Sequence, residues 1–458
     1  MRGRVQERRK MLLVLLKNSG EDFPTFIYEE GKMQTQQIGS STQISCSPGS
    51  KHKTDIIWNT TMICPWNCLF CCVDAIHVTG SRNHAFIASR DLQRHETILL
   101  KPGENRFDAA LRHLQANGRE LSWGGKLSVL DHLSGEDVRL DISGGDALVI
   151  TEGKSLLAEA SRRLGKANVT LTATGAGMRK SDIPEVASII GEFNFSYDGF
   201  DSNSGQMRPP GYAKSNLHLG QQIASLGVSV RAELPLTREI ATREALEEIY
   251  ATLSVGGVQR LLIMRLFAVG RGSHSRQSIP TTEEYKRAIE ILFNCEQRSG
   301  GPEVRLQCAL RHLVSNKFGE HDLNPCDLVR ESYGLMADGT LLASPWAIGA
   351  TGEPLDPAFV LGNLAKTPLG ELRNCEFATE IRRRADENHG HCKVVAFQHS
   401  KRRDPIDRMV DPADPLYSTE AFGTSDARMT QGPSALARCL MGAGSENGRP
   451  VCNVGAQT

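Results

Sequence analysis

Four cysteines fall within nine residues of this chain, in the stretch Cys64-Pro65-Trp66-Asn67-Cys68-Leu69-Phe70-Cys71-Cys72. As thiolates they are soft metal ligands. Three of them, Cys64, Cys68 and Cys71, on a loop leaving a strand can ligate three irons of a cubane and leave the fourth iron without a protein ligand, open to a small molecule. Zinc is the alternative: Cys68-x-x-Cys71 is a half-knuckle, and Cys72 or His77 could complete it. The full count of 12 cysteines would also suit disulfides in a secreted chain, but thiols this crowded cannot easily find bridge partners. Crowding favours a metal.

Other residues with chemical potential sit where apolar runs end. Gly144-Gly145-Asp146 follows Val138-Arg139-Leu140-Asp141-Ile142, Ser196 and Asp198 follow Phe193 to Tyr197, and Gly270-Arg271-Gly272 follows Leu261 to Phe267. Arg231, Glu233 and Arg265 are ionisable groups inside otherwise apolar runs, and buried charges need partners. His274 and Tyr197 carry nothing that separates them from ordinary loop and core residues. Gly175-Ala176-Gly177 lacks the order of a dinucleotide-binding fingerprint, and no Walker-type lysine is present, so a nucleotide-phosphate loop is excluded.

The elements that must position these residues alternate. From about Asp55 to Cys308, short β-branched or apolar runs (56–60, 138–142, 169–174, 193–197, 228–234 and 261–267) are interleaved with helical patterns, which predicts βα units and a parallel sheet that curls. Helices are expected near 214–226, 242–254 and 281–294, and another with Leu156, Leu157, Ala160 and Leu164 on one face. Thr281, after Pro280 and before Glu283 and Glu284, suits a helix start. In such a sheet ligands bind at the carboxyl ends of the strands. The expected organisation is a leader or extension over 1–50, a partial barrel over 51–310 with an insertion at 80–135 that caps its cavity, a smaller α+β region over 311–398, and a loosely ordered tail over 399–458.

With 458 residues, of which 53 are basic and 53 acidic, the chain has no electrostatic footprint for nucleic acid or an anionic membrane. The run Met11 to Leu16, between Arg8-Arg9-Lys10 and Lys17, is too short to span a bilayer. A cytoplasmic protein is expected.

Cys64 to Cys71 resembles the CxxxCxxC signature of the radical S-adenosylmethionine (SAM) superfamily, including the aromatic Phe70 before the last cysteine. The resemblance implies a partial (β/α)6 TIM-like barrel and a [4Fe-4S] cluster on Cys64, Cys68 and Cys71, with Cys72 a free thiol. SAM would chelate the open iron and be cleaved reductively to a 5′-deoxyadenosyl radical that abstracts hydrogen from a peptide or small-molecule substrate. An external one-electron reductant, flavodoxin- or ferredoxin-like, would supply the electron. Gly144, Gly145 and Asp146 stand where the family carries a Gly-Gly-Glu that reads the SAM amino group; Phe70 would pack on the adenine; Ser196, Asp198 and Arg265 would contact the ribose, carboxylate or substrate; Gly270-Arg271-Gly272 resembles a turn near the adenine. Action on a nucleotide or nucleic acid, and a non-catalytic Fe-S scaffold, are the alternatives.

Cys326, Asp338-Gly339 as a hairpin turn, Leu361-Gly362-Asn363-Leu364 and a helix through Leu369, Leu372, Phe377 and Ile381 resemble, in that order, the start of a SPASM or twitch auxiliary-cluster domain. The chain has Ser344 where those relatives place a cysteine. The resemblance allows at most one auxiliary cluster, on Cys326, Cys375 and Cys392 with an oxygen, an imidazole (His389 or His391) or a remote thiol (Cys308 or Cys439) as fourth ligand. The alternative is a domain that kept its fold and lost its metal.

Overall fold

The computed structural model describes residues 53–88, 95–199, 207–313, 326–386 and 392–416. The expectations for 1–50 and for 417–458, and the candidates His389, His391 and Cys439, lie outside the described residues. The strands are β1 (Thr54–Thr61), β2 (Ile63–Cys64), β3 (Ile76–Gly80), β4 (His84–Ala88), β5 (His95–Leu99), β6 (Val138–Gly144), β7 (Val169–Thr172), β8 (Glu192–Ser196), β9 (Ser229–Leu236), β10 (Arg260–Arg265), β11 (Glu303–Leu306), β12 (Ser332–Leu335), β13 (Thr340–Leu342) and β14 (Val360–Asn363).

All six apolar runs are strands, and they lie side by side in the order β10-β9-β8-β7-β6-β1, every pair parallel. Helices Glu152–Leu164, Ile183–Ile189, Tyr212–Ser225, Arg243–Val255 and Thr282–Ser299 follow β6 to β10 in turn. Thr281 caps the last of these in a capping box with Glu284. The sheet is larger than six strands. β11 adds a parallel strand at one side, and β12 to β14 extend the other side from β1, giving a mixed sheet of ten. β11, with its Glu303 and Arg305, is too short and too charged to stand out as an apolar run.

Each strand divides its side chains between two faces, as a period of two requires. Ile56 and Trp58, Leu140 and Ile142, Phe193 and Phe195, Val230, Ala232 and Leu234, Leu261 and Ile263 are buried in one apolar core with the helices. Their alternates, Asp55, Asn59, Arg139, Asp141, Thr172, Asn194, Ser196, Arg231 and Glu233, line a cavity instead. Because residues from β1, β6 to β11 and β12 all border that cavity, the sheet curls around it. It is a partial barrel whose inside sets these polar and charged groups among apolar ones such as Ile57, Leu262 and Met264.

The insertion forms a second sheet, β2-β3-β4-β5, covered by helix Arg106–Ala116 through Ala110, Leu111 and Leu114. Among the described residues of 80–135, none contributes to the wall of the cavity. The insertion holds the first corner of the barrel: Glu120 accepts hydrogen bonds from Thr61 Oγ1 (2.9 Å) and the Met62 amide (2.7 Å).

The hairpin turn at Asp338-Gly339 joins β12 to β13, with Gly339 at φ +87°. The single helix expected through Leu369 and Ile381 is two, Leu369–Asn374 and Glu376–Asp386, because Cys375 between them has an extended ψ of 157°. Residues 400–416, expected to be loose, carry helix Pro405–Met409 and bury Ile406, Met409, Asp414 and Leu416. Asp414 is the reason this segment packs: it takes both ends of the buried Arg265 guanidinium at 2.7 Å and accepts the Cys392 amide at 3.0 Å.

Burial alone would raise the Asp414 carboxyl, but the Arg265 guanidinium holds it at about 2, below its ordinary 3.8. Its contribution to stability is therefore present above pH ~4 and lost as pH falls toward ~2. Asp414→Asn leaves Arg265 buried without a counter-charge and is expected to cost about 3–5 kcal/mol, read by denaturant unfolding at pH 7. The loss should shrink as the pH approaches 2.

Candidate active site

Cys64 ends β2, and Cys68 and Cys71 lie on the loop that follows. All three line the cavity inside the sheet, a space of about 400 Å³. Burial raises the Cys64 thiol well above its usual range, with Asp146 and the other two thiols adding to the rise. Burial also raises Cys68, opposed by Arg208. The three sulfurs thus feel one another. Donors point at each: the Trp66 amide at Cys64 Sγ (3.5 Å), Arg208 Nη1 at Cys68 Sγ (3.6 Å) and the Ala75 amide at Cys71 Sγ (3.3 Å).

The loop between them has no regular structure of its own, so something must hold it. Arg271, 1% exposed, does so from the turn after β10. Its guanidinium donates to Asp74 Oδ1 (2.9 Å), Asn67 Oδ1 (3.0 Å), the Cys68 carbonyl (2.9 Å) and the Ala75 carbonyl. Its neighbour Gly270 has φ +52°, and a Cβ there would stand 2.4 Å from the Cys72 carbonyl. Gly145 is constrained in the same way, since a Cβ would lie 2.1 Å from the Ile63 carbonyl. Its amide donates to the Thr61 carbonyl at 2.8 Å. The glycines bring two backbone turns against the cysteine loop from opposite sides.

The thiols and their setting fit a cubane. A cluster on three cysteines takes one thiolate per iron and is tuned by N–H groups aimed at sulfur; here are three thiols, each with a donor, on the wall of a space large enough for a small molecule. Among the described residues, no three Cys, His, Asp or Glu side chains meet closely enough to share a single metal ion. Cys72 faces the same cavity, its thiol pushed up to about 12 by burial and by Cys71, whereas His77 does not line it.

No family model matches the sequence, and no curated protein matches it. Solved structures do match the fold. Streptococcus suis SuiB bound to precursor peptide SuiA superposes with a TM-score of 0.55 at 13% identity, over 83% of this chain and 84% of that one. SuiB bound to S-adenosylmethionine gives 0.53 at 13% identity, over 78% and 76%. Histidine-tagged anSMEcpe with bound AdoMet gives 0.50 at 13% identity, over 78% and 84%. This chain has their fold.

Of the residues singled out from sequence, Cys64, Cys68, Cys71, Phe70, Gly144, Gly145, Ser196, Arg231, Glu233 and Arg265 all border the one cavity. Asp146 does not. Its carboxylate lies fully buried behind the Gly144-Gly145 turn, accepting from Thr174 Oγ1 and from the amides of Leu148, Thr174 and Ala176. Thr174 in turn accepts from Trp66 Nε1 at 3.0 Å, so Asp146 braces the cysteine loop through Thr174 rather than presenting its own oxygens to a ligand. Arg265 reaches the cavity wall, but its charge is spent on Asp414. Asp198 is buried and paired with Arg208, His274 is exposed, and Arg271 serves the cysteine loop rather than the cavity.

Arg208 is the functional residue that sequence reasoning misses. It sits between the rings of Phe70 and Tyr212, 4.5 Å from each centroid, with Nε on Asp198 (3.1 and 3.2 Å) and Nη1 on Cys68. It brings a cation beside the Cys68 thiol. An isolated arginine in a loop before Pro209-Pro210 has no periodic pattern to reveal it.

In the C-terminal region Cys326 and Cys392 come together, but with Cys308 rather than Cys375. Cys375 caps the break between two helices and accepts from the Ala378 amide at 3.4 Å. The three gathered thiols share about 30 Å³ with Ser344 and the fully buried Lys393, room for about one water. A cubane does not fit among them as arranged. Burial raises Cys308 well above its usual range and pushes Cys392 up to about 12.

Two outcomes are expected. Arg271→Lys keeps the charge but not the four-way fork; the cysteine loop should loosen, with about 3–5 kcal/mol lost in unfolding and lower iron retention after reconstitution. Burial raises Glu120 to about 7 from its ordinary 4.5, against the pull of Lys126. Its folded carboxyl holds a proton that the unfolded chain has lost, so this group's share of stability falls as pH rises from ~4.5 to ~7. Glu120→Gln should flatten that slope in unfolding curves.

Proposed function

We propose that this chain is a radical SAM enzyme, with one [4Fe-4S] cluster on Cys64, Cys68 and Cys71. The observation that carries the reading is the grouping of those three thiols, each with a hydrogen-bond donor, on the wall of a cavity inside the fold that SuiB and anSMEcpe share. A cluster bound there, reduced by an external one-electron carrier, supplies the electron that splits SAM into methionine and a 5′-deoxyadenosyl radical, which takes hydrogen from the substrate.

The protein's own groups do the placing. Arg271 and the Asp146–Thr174–Trp66 chain fix the loop so that the sulfurs face inward. Gly144 and Gly145 let the backbone border the cavity without a side chain in the way. Arg208, paired with Asp198, orients the loop at Cys68, and Phe70, held under it, would offer an apolar wall to an adenine. Ser196, on the same wall, would bond a ribose hydroxyl.

A peptide or a small molecule is the substrate class. SuiB is solved with a precursor peptide, and the balance of 53 basic and 53 acidic residues speaks against a polyanion. The protein is proposed to act in the cytoplasm; among the described residues no helix is long and apolar enough to cross a membrane. The three-thiol group around Cys308 is assigned no cluster.

Anaerobic reconstitution tests this directly. The wild type is expected to bind ~4 iron per chain, falling to none in the Cys64/Cys68/Cys71 triple-alanine variant and unchanged in Cys72→Ala. Dithionite with SAM should yield 5′-deoxyadenosine only where the cluster is present. Binding of ~8 iron that falls to ~4 in the triple variant would instead place a second cluster in the C-terminal region. A full cubane without SAM cleavage would sink the enzymatic reading.

A further inference from the structure

Deeper in the cavity, adjacent strands present a row of polar side chains that the chemistry above leaves unused. Thr172 Oγ1 on β7 bonds both oxygens of Asp141 on β6, at 2.9 Å each, and accepts from Asn194 Nδ2 on β8 at 3.2 Å. Glu233 on β9 borders the same space. Neighbouring charges are matched: Arg139 with Asp55, Arg231 with Glu192 and Glu233, Arg260 with Glu192. Asp141 is in none of the ion pairs among the described residues. Beside it, Asn194 is fully buried, and its Oδ1 has no hydrogen-bond donor.

An unmatched carboxylate on a cavity wall, with an unfilled carbonyl packed behind it out of reach of a ligand, asks for a cation that brings several N–H donors. Buried acceptors left without donors cost free energy, and a buried carboxylate without a counter-charge costs more. The chain's own hydroxyl is already committed, because Thr172 has one proton and gives it to Asp141. Burial and the nearby Glu233 raise Asp141 to about 7, against Arg231 and Thr172, so the carboxyl lacks a full counter-charge. Asp141 lies three residues below Gly144 on β6, roughly 10 Å deeper than the Gly144-Gly145 turn. A group held there would sit beneath a ligand bound at that turn.

We propose that Asp141, with Thr172 and Asn194 behind it and Glu233 alongside, binds a protonated amine of the substrate. A primary ammonium has three donors on one compact centre, which suits Asp141 and Glu233 in a narrow row better than a planar guanidinium does. The placement beneath SAM rests on the enzymatic reading above; the amine site itself does not. The substrate class is thereby narrowed to a peptide or small molecule that enters amine first, such as one carrying a lysine-like side chain.

The test uses the full-length, cluster-reconstituted protein with SAM under anaerobic conditions, and propylammonium, propylguanidinium and propanol as probes in ligand-observed NMR. Propylammonium is expected to bind saturably and to weaken by about 10- to 100-fold in Asp141→Asn, the range for a hydrogen bond to a charged partner. Its affinity should rise from pH 6 to pH 8 as Asp141 ionises among Asp55, Arg139, Glu192, Arg231 and Glu233. Thr172→Val, which removes the donor that stabilises the charged form, should move that pH midpoint upward while leaving the fold intact by circular dichroism. Equal binding of propanol, an unchanged affinity in Asp141→Asn, or tighter binding of propylguanidinium overturns the amine site. If the protein fails to cleave SAM but binds propylammonium in an Asp141-dependent way, the enzymatic reading falls and the amine site stands.

Discussion

The guanidinium of Arg271 joins the two ends of the chain's chemistry. It comes from the turn after the sixth strand of the barrel and ends in the loop that follows the first, donating to Asp74, Asn67 and two backbone carbonyls of that loop. A loop of this kind has unmet backbone acceptors, and leaving them buried without donors is costly. One planar cation meets several at once. Its own burial is tolerable only because Asp74, 2% exposed, supplies the opposite charge at 2.9 Å. The position of the thiols therefore depends on the barrel having closed far enough to bring residues 267–272 beside residues 67–75. Site assembly and fold completion are one event.

The period of two then decides what the cavity is made of. In a sheet buried on both faces, parallel strands are usually apolar throughout. Here only the helix-facing set is, and the inward set mixes charged or polar residues such as Asp55, Arg139, Asp141, Arg231 and Glu233 with apolar Ile57, Leu262 and Met264. A packed barrel centre would be more stable with aliphatic residues. Retaining ionisable groups there carries a cost that paired arginines and carboxylates offset only in part. The inside of this barrel is organised around occupancy.

Much of this is legible in the sequence because it is local. The cysteine spacing, the six apolar runs, the capping box at Thr281 and the Asp-Gly turn each depend on neighbours in sequence, and Arg231 and Glu233 stand out as charges within apolar runs. Asp141 and Arg139 have the same alternation but merge into their strand, since nothing in Val138 to Ile142 tells which face is the inner one. Asp146 carries a family expectation that its surroundings do not support: Thr174 and three amides, distant in sequence, take up its oxygens. Arg265 stands out as a charge needing a partner. Its partner, Asp414, is 149 residues away in a stretch whose Pro, Asp and Arg content suggests a loose tail, and no periodicity links the two.

The same long-range pairings explain why a C-terminal region can persist without a cluster of its own. β12 lies parallel on β1 and gives the first strand its second neighbour. Trp346 stacks on Phe267 with centroids 4.7 Å apart, Gln398 donates to the Ala268 carbonyl, and the Gly270 amide donates to the Ile348 carbonyl. These contacts converge on residues 265–270, the segment that leads into Arg271. Cys308, Cys326 and Cys392 meet just behind Trp346, which borders both their small space and the large cavity. Buried thiols pack there as small apolar groups, and burial pushes the Lys393 amine below its usual range against the pull of Asp414. The region buttresses the turn that carries Arg271, and through it the cysteine loop. Metal is not needed to account for its retention, because the barrel would lose the support for its own thiols if this region were gone.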